Sequence, residues 1–156
     1  MKVLILYFTK TGHTLEAVNA TAEGIRSAGS EADLITAQGF DSAQMEGYDG
    51  LIVASPCWAG SAGKSVLPKP IVRALTTLPV DALRDKLCGG ISVHSGMGGE
   101  NTVQRIGEMM TQKGCTDYQP GPVARAGVPF SVFMGPSVSP EGQARFCAYG
   151  TSFVKN

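Results

Sequence analysis

Apolar residues recur along the chain with two different spacings, which predict strands and helices. The first apolar run, KVLILYF, starts at Lys2 and is continuous, as expected for a strand that is covered on both faces. The segment after it has apolar residues at helical spacing and is closed by Gly29. Its apolar positions are Leu15, Val18, Ala22 and Ile25. The chain is therefore predicted to begin with a buried strand and an amphipathic helix.

The same alternation continues to the last residues. EADLI, GLIVAS and LCGGISVH predict three more strands, and CTDYQPGPVA predicts a weak edge strand because its prolines lack backbone donors. Helices are predicted from near Pro68 or Pro70, after GMGGE, and from SPEG onward, although Gly142 and Gly150 weaken the last one. Five strands alternating with helices predict an α/β fold. A single domain over residues 1–156 would hold one parallel sheet with helices on both faces.

Composition and charge narrow the function without identifying it. The 156 residues are 43% hydrophobic and 17% charged, and the formal net charge is zero. No basic cluster is visible, which argues against nucleic acid as a partner. The apolar run near the start is too short for an export signal or a membrane span, and the four cysteines form no C-x-x-C pair. We therefore expect a cytoplasmic globular protein with reduced thiols, no membrane association and no metal cluster.

Three segments that follow predicted strands have unusual compositions. They are TKTGHT after the first strand, SPCWAGSAGKS after the third and HSGMGGE after the fourth. Ligands of parallel sheets bind at the edge where the carboxyl ends of the strands meet. TKTGHT supplies three threonine hydroxyls and Gly12 directly before a helix, so free amides and the helix dipole would surround one point. This pattern predicts an anion site; the alternative is a threonine-rich helix cap.

The second loop contains CWAGSAGKS, which is close to the phosphate-binding pattern G-x-x-x-x-G-K-[ST]. Trp58 stands where that pattern requires its first glycine. Pro68 and Pro70 also interrupt the helix that should follow Lys64 and Ser65. An ATP-binding loop is therefore disfavoured, and the tryptophan indicates a different ligand.

TKTGHT after an N-terminal strand resembles the phosphate loop T/S-x-T-G-x-T of the flavodoxin family, and the resemblance covers essentially the whole chain. It implies a flavodoxin-like three-layer sandwich whose five-stranded parallel sheet has the order 2-1-3-4-5. It also implies non-covalently bound FMN, with its phosphate wrapped by the first loop. His13 stands where the family more often has asparagine. The phosphate residues implied in this way are Thr9, Lys10, Thr11, Gly12, His13 and Thr14.

The same resemblance assigns the other two loops to the flavin ring. Trp58 would stack on the ring, since a flat indole suits a flavin; the alternative is that it belongs to the core. The third loop lacks the tyrosine that often covers the second ring face in flavodoxin carriers. His94 has an alternative as a satisfied strand-end group, and Cys57 as a small buried hydrophobe. The ring residues implied in this way are Ser55, Pro56, Cys57, Trp58, Ala59, Gly60, His94, Ser95, Gly96, Met97, Gly98 and Gly99.

The resemblance implies an electron-transfer protein that exchanges electrons with redox partner proteins or with a small planar acceptor. Flavodoxin carriers resemble one another in surrounding the flavin with acids, whereas these loops are mostly basic. Their charged or titratable residues include Lys10, His13, Lys64, His94 and a single acid, Glu100. We therefore expect a less reducing flavin than in an acidic flavodoxin. The departures favour an alternative, an FMN-dependent NAD(P)H or quinone oxidoreductase, and a flavin-free binding module is the third hypothesis.

The segment AGVPFSVFMGPSV, after the fifth strand, is unusually apolar for a surface loop. It should emerge beside the third loop, because both follow strands at the same edge of the sheet. It either folds onto the body of the domain, or forms a wall of the flavin site, or mediates a contact with a partner or a homodimer through residues 128–134. Its large apolar residues are Val128, Phe130, Val132, Phe133 and Met134.

Overall fold

A computed structural model describes the protein over residues 1–59, 65–127 and 137–155. Its strands are β1 (Lys2–Tyr7), β2 (Glu31–Thr36), β3 (Gly50–Pro56), β4 (Trp58–Ala59), β5 (Ser65–Val66), β6 (Leu87–His94) and β7 (Tyr118–Arg125). Its helices are α1 (His13–Ser27), α2 (Lys69–Thr77), α3 (Gly99–Thr111) and α4 (Pro140–Phe153), with a 3-10 helix at Ser42–Gly47. Every strand and helix predicted from the apolar pattern is present.

Five strands form a parallel sheet in the order β2-β1-β3-β6-β7. Because β6 and β7 are the fourth and fifth strands of this sheet along the chain, the implied order 2-1-3-4-5 is confirmed. β1 is buried on both faces, as its continuous apolar run predicts. Val3 and Ile5 pack with α1 and α4, whereas Leu4 and Leu6 pack with α2 and α3. Helices thus cover both faces of the sheet and leave the carboxyl ends of its strands at one edge.

β4 and β5 form a separate antiparallel ribbon within the loop that follows β3. Trp58 pairs with Val66, and Ala59 pairs with Ser65. Strands of two residues are too short to show a hydrophobic period, which explains why the sequence did not predict the ribbon.

α1 and α4 approach each other closely at two glycines. A Cβ atom at Gly24 would overlap the backbone carbonyl of Cys147, and one at Gly150 would overlap the backbone of α1. The hydroxyl of Thr151 donates to the Gly24 carbonyl at 3.1 Å. α4 runs unbroken through Gly142 and Gly150, the two glycines predicted to weaken it. Gly150 permits the close packing of the two helices.

β7 lies at the edge of the sheet beside β6, as predicted, and contains Pro120 and Pro122. Its register against β6 shifts between Gly90 and Ser92. The irregular pairing fits a strand in which prolines remove backbone donors.

The apolar segment after β7 falls mostly outside the described residues. The stretch 128–136 contains all the large side chains on which the predicted homodimer rests, so that contact stays a prediction. The chain resumes with Val138, which is buried in the core. Ser139 then caps α4, as predicted, with its hydroxyl accepting from Gly142 N at 3.1 Å. None of the helices in the described part of the chain is long and apolar enough to cross a membrane.

Candidate functional site

The carboxyl ends of β1, β3, β6 and β7 surround a cavity of about 140 Å³. Its walls come from the three loops of unusual composition and from the first residues after β7. The structure therefore brings together segments that are far apart in the sequence. The lining residues are Lys10, Thr11, His13, Thr14, Pro56, Cys57, Val93, His94, Ser95, Ala126 and Gly127.

The loop between β1 and α1 turns sharply at Gly12. This residue has φ 91° and ψ −16°, in the left-handed region where a side chain would be strained. The hydroxyl of Thr9 accepts a hydrogen bond from Gly12 N at 2.9 Å, and the Gly12 carbonyl accepts from Glu16 N at 3.2 Å. Thr9 therefore shapes the loop from within and does not line the cavity.

The N-terminus of α1 opens onto the cavity without a side-chain cap. Thr14 is only 3% exposed and lines the cavity together with Thr11. Within the described residues, neither of these two hydroxyls has a hydrogen-bond partner. Free first-turn amides, the positive end of the helix dipole and two available hydroxyls thus converge on one point. The arrangement has the features expected of an anion site. Thr9 bonds an amide at the start of the helix, whereas Thr11 and Thr14 form no cap bond among the described residues.

His13 is held in place by a carboxylate on its own helix. Its Nδ1 atom lies 3.4 Å from Glu16 Oε1, and the other oxygen, Glu16 Oε2, accepts from Val138 N at 2.9 Å. Glu16 therefore fixes the imidazole and ties the first turn of α1 to the segment before α4. The sequence analysis missed Glu16. An acid three residues after a site histidine could have indicated it, because residues three apart on a helix are neighbours.

His94, at the end of β6, is held by a backbone carbonyl. Its Nδ1 atom lies 2.8 Å from the carbonyl oxygen of Gly96. Because a carbonyl only accepts, Nδ1 carries the proton and donates it to this bond. His94 is thus hydrogen-bonded at one nitrogen, while its ring lines the cavity.

Cys57 joins the loop after β3 to the loop after β6. Its amide donates to Val93 O at 3.0 Å, which extends the pairing of β3 and β6. Its thiol Sγ lies 3.4 Å from the Met97 carbonyl, and a Cβ atom at Gly98 would lie 3.3 Å from the same sulfur. Met97 itself points outward and is 87% exposed. The cysteine packs between two loops in the manner of a small hydrophobe, and it also lines the cavity.

Several residues predicted for the ring lie outside the cavity lining. Ser55 is fully buried in β3, where its hydroxyl donates to the Pro56 carbonyl at 2.9 Å. Gly96, Met97, Gly98 and Gly99 form the turn from β6 into α3 beside the cavity.

The predicted stacking residue, Trp58, is described by its backbone alone. The backbones of Trp58 and Ala59 lie in β4, immediately after the lining residue Cys57. Their side chains and the whole of Gly60 lie outside the described part of the structure. Stacking of Trp58 on a flavin stays a prediction.

The structure adds three lining residues that were not predicted individually. Val93 precedes His94 in β6, and Ala126 and Gly127 directly follow β7. Ala126 N donates to the His94 carbonyl at 2.9 Å, which attaches this fourth loop to the third. The expectation that the segment after the fifth strand emerges beside the third loop is confirmed for these first two residues.

The lining of the cavity carries basic and neutral groups, and the Glu16 carboxylate lies behind His13. Among the described residues its lining contains Lys10, His13 and His94, and no carboxylate. Lys64 lies outside the described part. Glu100 lines a different and larger cavity of about 720 Å³, between α3 and β7, whose walls are mostly apolar. The described residues contain no cluster of three side chains that could hold a metal ion.

Two tyrosines with shifted pKa values belong to the core and not to the site. Burial raises the pKa of both Tyr118 and Tyr149. Their hydroxyls donate to the carbonyls of Val103 at 2.6 Å and Gln119 at 2.7 Å, respectively. Buried phenols that are already bonded to backbone oxygens anchor helices to the sheet.

No protein-family model matches the chain, and no curated protein is similar to it in sequence. Solved structures match it over its whole length. Flavodoxin 2 from Bacillus cereus has a TM-score of 0.78 and 19% identity over 99% of both chains. Flavodoxin 1 from the same organism has a TM-score of 0.74 and 19% identity over 100% of this chain and 99% of that one.

A larger protein contains the same fold as one part. The flavodiiron protein from Giardia intestinalis has a TM-score of 0.71 and 15% identity, over 99% of this chain and 35% of its own length. The chain therefore has the flavodoxin-like fold that its first loop implied. At these identities the likeness establishes the fold, and the function has to be argued from the site.

Proposed function

We propose that the protein binds FMN non-covalently and transfers electrons through it. The observation that carries this proposal is the uncapped first turn of α1, where Thr14 is a buried residue whose hydroxyl lacks a partner among the described residues. A phosphate dianion would satisfy the free amides, the dipole and the hydroxyls together. The structural neighbours support the choice of ligand, because several of them are named flavodoxins.

The lining residues fit the phosphate end of the mononucleotide. Thr11 and Thr14 would donate to phosphate oxygens, and Lys10 and His13 would supply positive charge beside them. A cavity of about 140 Å³ is smaller than sites that enclose a whole organic ligand, which span roughly 300–1,000 Å³. It corresponds to the phosphate and the atoms next to it.

The ring would continue from the phosphate along the sheet edge toward the second and third loops. Cys57, His94 and Ser95 line that side of the cavity, and Trp58 follows Cys57 directly in the chain. When bound, the flavin supplies the electron chemistry, and the protein sets its binding, orientation and potential. No residue has to act as a general acid or base for electron transfer alone.

The proposed exchange partners are redox proteins or a small planar electron acceptor. The second candidate is an FMN-dependent NAD(P)H or quinone oxidoreductase, which the absence of a tyrosine from HSGMGGE favours, since the second ring face would be open to a substrate. We also infer a reducing, cytoplasmic setting, supported by four free cysteines.

The test compares two ligands that differ only in the phosphate. We expect flavin-free protein to quench the fluorescence of FMN and to bind riboflavin at least about 100-fold more weakly, because riboflavin leaves the anion site empty. Inorganic phosphate should compete with FMN and not with riboflavin. Equal affinity for the two flavins would refute the anion site, and absence of FMN binding would refute the proposed function.

A second experiment separates the two candidate functions by following the steady-state oxidation of NADPH with a quinone as acceptor. A reductase should oxidise NADPH in this assay, whereas an electron carrier should show almost no oxidation.

A further inference from the structure

Two histidines line the cavity, and the structure gives them different partners. His13 Nδ1 faces the carboxylate of Glu16 at 3.4 Å, whereas His94 Nδ1 faces the carbonyl of Gly96 at 2.8 Å. In a neutral imidazole only one nitrogen carries hydrogen. The carbonyl of Gly96 therefore fixes the hydrogen of neutral His94 on Nδ1 and leaves Nε2 with its lone pair.

The ring of His94 has a defined position against the start of α3. A Cβ atom at Gly99 would lie 2.8 Å from His94 Cδ2, so the glycine leaves room for the ring. The backbone of His94 is held from the other side by Ala126 N, which donates to its carbonyl at 2.9 Å. Within the described residues no hydrogen bond reaches Nε2. Nε2 is therefore the nitrogen of neutral His94 that can gain a proton, and its ring lies in the wall of the cavity.

We propose that His94 is a proton carrier coupled to the redox state of the bound cofactor. Nε2 takes one proton from water when the cofactor gains electrons from its donor, and it returns that proton to water when the cofactor is oxidised. The only bond that forms and breaks in the protein is Nε2–H, and the electrons come from and return to the external partners. This inference rests on the proposed function, because it requires FMN in the cavity.

The charges near His94 explain why its protonation would follow the cofactor. Lys10 lines the same cavity, and Arg125 is the register partner of His94 in β7. An electron added to the ligand places negative charge near the ring and favours the imidazolium. The titratable or charged groups around His94 are Lys10 and His13 before and in α1, Cys57 after β3, Arg125 in β7 and Glu100 in the first turn of α3.

His13 is the internal reference, because its carboxylate partner is present in every redox state. The Nδ1 atom of His13 lies 3.4 Å from Glu16 Oε1, whereas that of His94 faces a neutral carbonyl. We therefore expect the protonation of His13 to respond less than that of His94 to electrons on the ring. The chain contains only these two histidines, so their NMR signals can be resolved and assigned with His13→Gln and His94→Gln variants.

The first measurement uses nitrogen-15 NMR of the imidazoles in flavin-free protein. We expect neutral His94 to carry its hydrogen on Nδ1; a hydrogen on Nε2 would overturn the proposal. The second follows both histidines against pH in the oxidised and the fully reduced FMN complex. We expect the proton affinity of His94 to rise about tenfold on reduction, which corresponds to a shift of about one pH unit in its midpoint.

A third measurement follows the potential of the bound cofactor against pH. The wild type should show an inflection where His94 gains its proton, and His94→Gln should lose it when both proteins are measured at FMN concentrations that saturate them. An inflection that persists in His94→Gln, or a proton affinity that is the same in both redox states, would overturn the role of His94 and leave FMN binding intact. Failure of the wild type to take up FMN would instead remove the proposed function and this inference together.

Discussion

The loops after β1 and after β6 lead into their helices in the same way, but the space around their last glycines differs. Each places a left-handed glycine directly before the helix, with φ 91° at Gly12 and φ 94° at Gly98. Neither α1 nor α3 has a side-chain cap. At Gly12 a Cβ atom would meet nothing within 4 Å, whereas at Gly98 it would meet the thiol of Cys57.

The threonines near the two helix starts also differ in whether their hydroxyls are available to a ligand. Thr14 in α1 is a buried residue that lines the cavity, and its hydroxyl has no partner among the described residues. Thr102 in α3 is also buried, but its hydroxyl donates to the Gly98 carbonyl at 3.1 Å. The glycine turn before α1 therefore leaves polar groups available to the proposed ligand, whereas the hydroxyl of Thr102 in α3 is already bonded to the backbone.

The largest expected contrast is in FMN affinity, when Gly12 and Gly98 are each replaced by alanine. Both changes strain a left-handed residue, at a cost on the order of 1–2 kcal/mol. In Gly12→Ala the relaxing backbone would also displace the amides that face the phosphate, and we expect FMN affinity to fall about 50-fold. Gly98→Ala should lower FMN affinity less than about fivefold. Fluorescence titration of both variants measures the contrast, and equal losses would show that the two turns do not differ in function.

The two threonines provide the next contrast. Thr14→Val removes a hydroxyl available to the ligand, and we expect FMN to bind about tenfold more weakly, equal to about 1.4 kcal/mol. The flavin-free protein should keep its stability, since that hydroxyl has no partner among the described residues. Thr102→Val should instead lower the free energy of unfolding by about 1 kcal/mol and leave FMN affinity unchanged. Urea unfolding together with FMN titration tests both, and a weakened FMN complex in Thr102→Val would contradict the assignment.

The first loop carries a lysine and the third an acid, and the reduction potential of the bound cofactor should respond to both charges. Lys10→Gln removes a cation from the first loop and should lower the potential, whereas Glu100→Gln removes the acid of the third loop and should raise it. A charge about 10 Å away is worth about 1.7 kcal/mol at an effective dielectric of 20, or about 70 mV for one electron, and solvent reduces this figure. Potentiometric titration, with the exposed Lys155→Gln as control, measures each shift. Shifts of the same sign would contradict the proposed placement of the flavin.

The smallest expected effect lies at the amino ends of the strands, where charges are satisfied within the chain. Asp33 Oδ2 accepts from the Tyr48 hydroxyl at 2.9 Å and lies 3.1 Å from Lys2 Nζ. The hydrogen bond from Tyr48, followed by the one from Lys2, lowers the pKa of Asp33 from 3.8. A lowered pKa in the folded state contributes stability above pH 3.8 that is lost as pH falls through the folded value.

Tyr48→Phe tests this outer contact. We expect it to lower the free energy of unfolding near pH 7 by at most about 1 kcal/mol, because partly exposed pairs are screened by water. The difference from wild type should shrink below pH 4 as Asp33 becomes protonated in both proteins. Denaturant unfolding at several pH values measures it, and FMN affinity should not change. A difference that persists at pH 2 would show that the hydroxyl acts by packing and not through the carboxylate.

The sequence predicts the fold well because the fold depends on regular patterns. The continuous apolar run of β1 indicates a strand buried on both faces, and Pro120 and Pro122 indicate an edge. Gly150 shows where such reasoning fails, since a helical glycine signals either low propensity or close packing. Only the position of α1 against it decides between the two.

The site is predictable in part for a related reason. TKTGHT predicts residues that the structure brings to the cavity, because hydroxyls, glycine and helix start lie within six residues of each other. Glu16 accepts a hydrogen bond from Val138 N, 122 residues away, and no local sequence pattern predicts such a contact. The same holds for the tautomer of His94, which is fixed by the turn of the backbone at Gly96.

The prolines of β7 have a consequence for contacts between molecules. β7 is an edge strand of the sheet, and prolines such as Pro120 and Pro122 are among the features that keep edge strands from pairing with another molecule. Fusion of two sheets into one, and the fibrous growth that can follow from it, is therefore disfavoured there. Copies that meet at this margin would have to recognise each other through side chains.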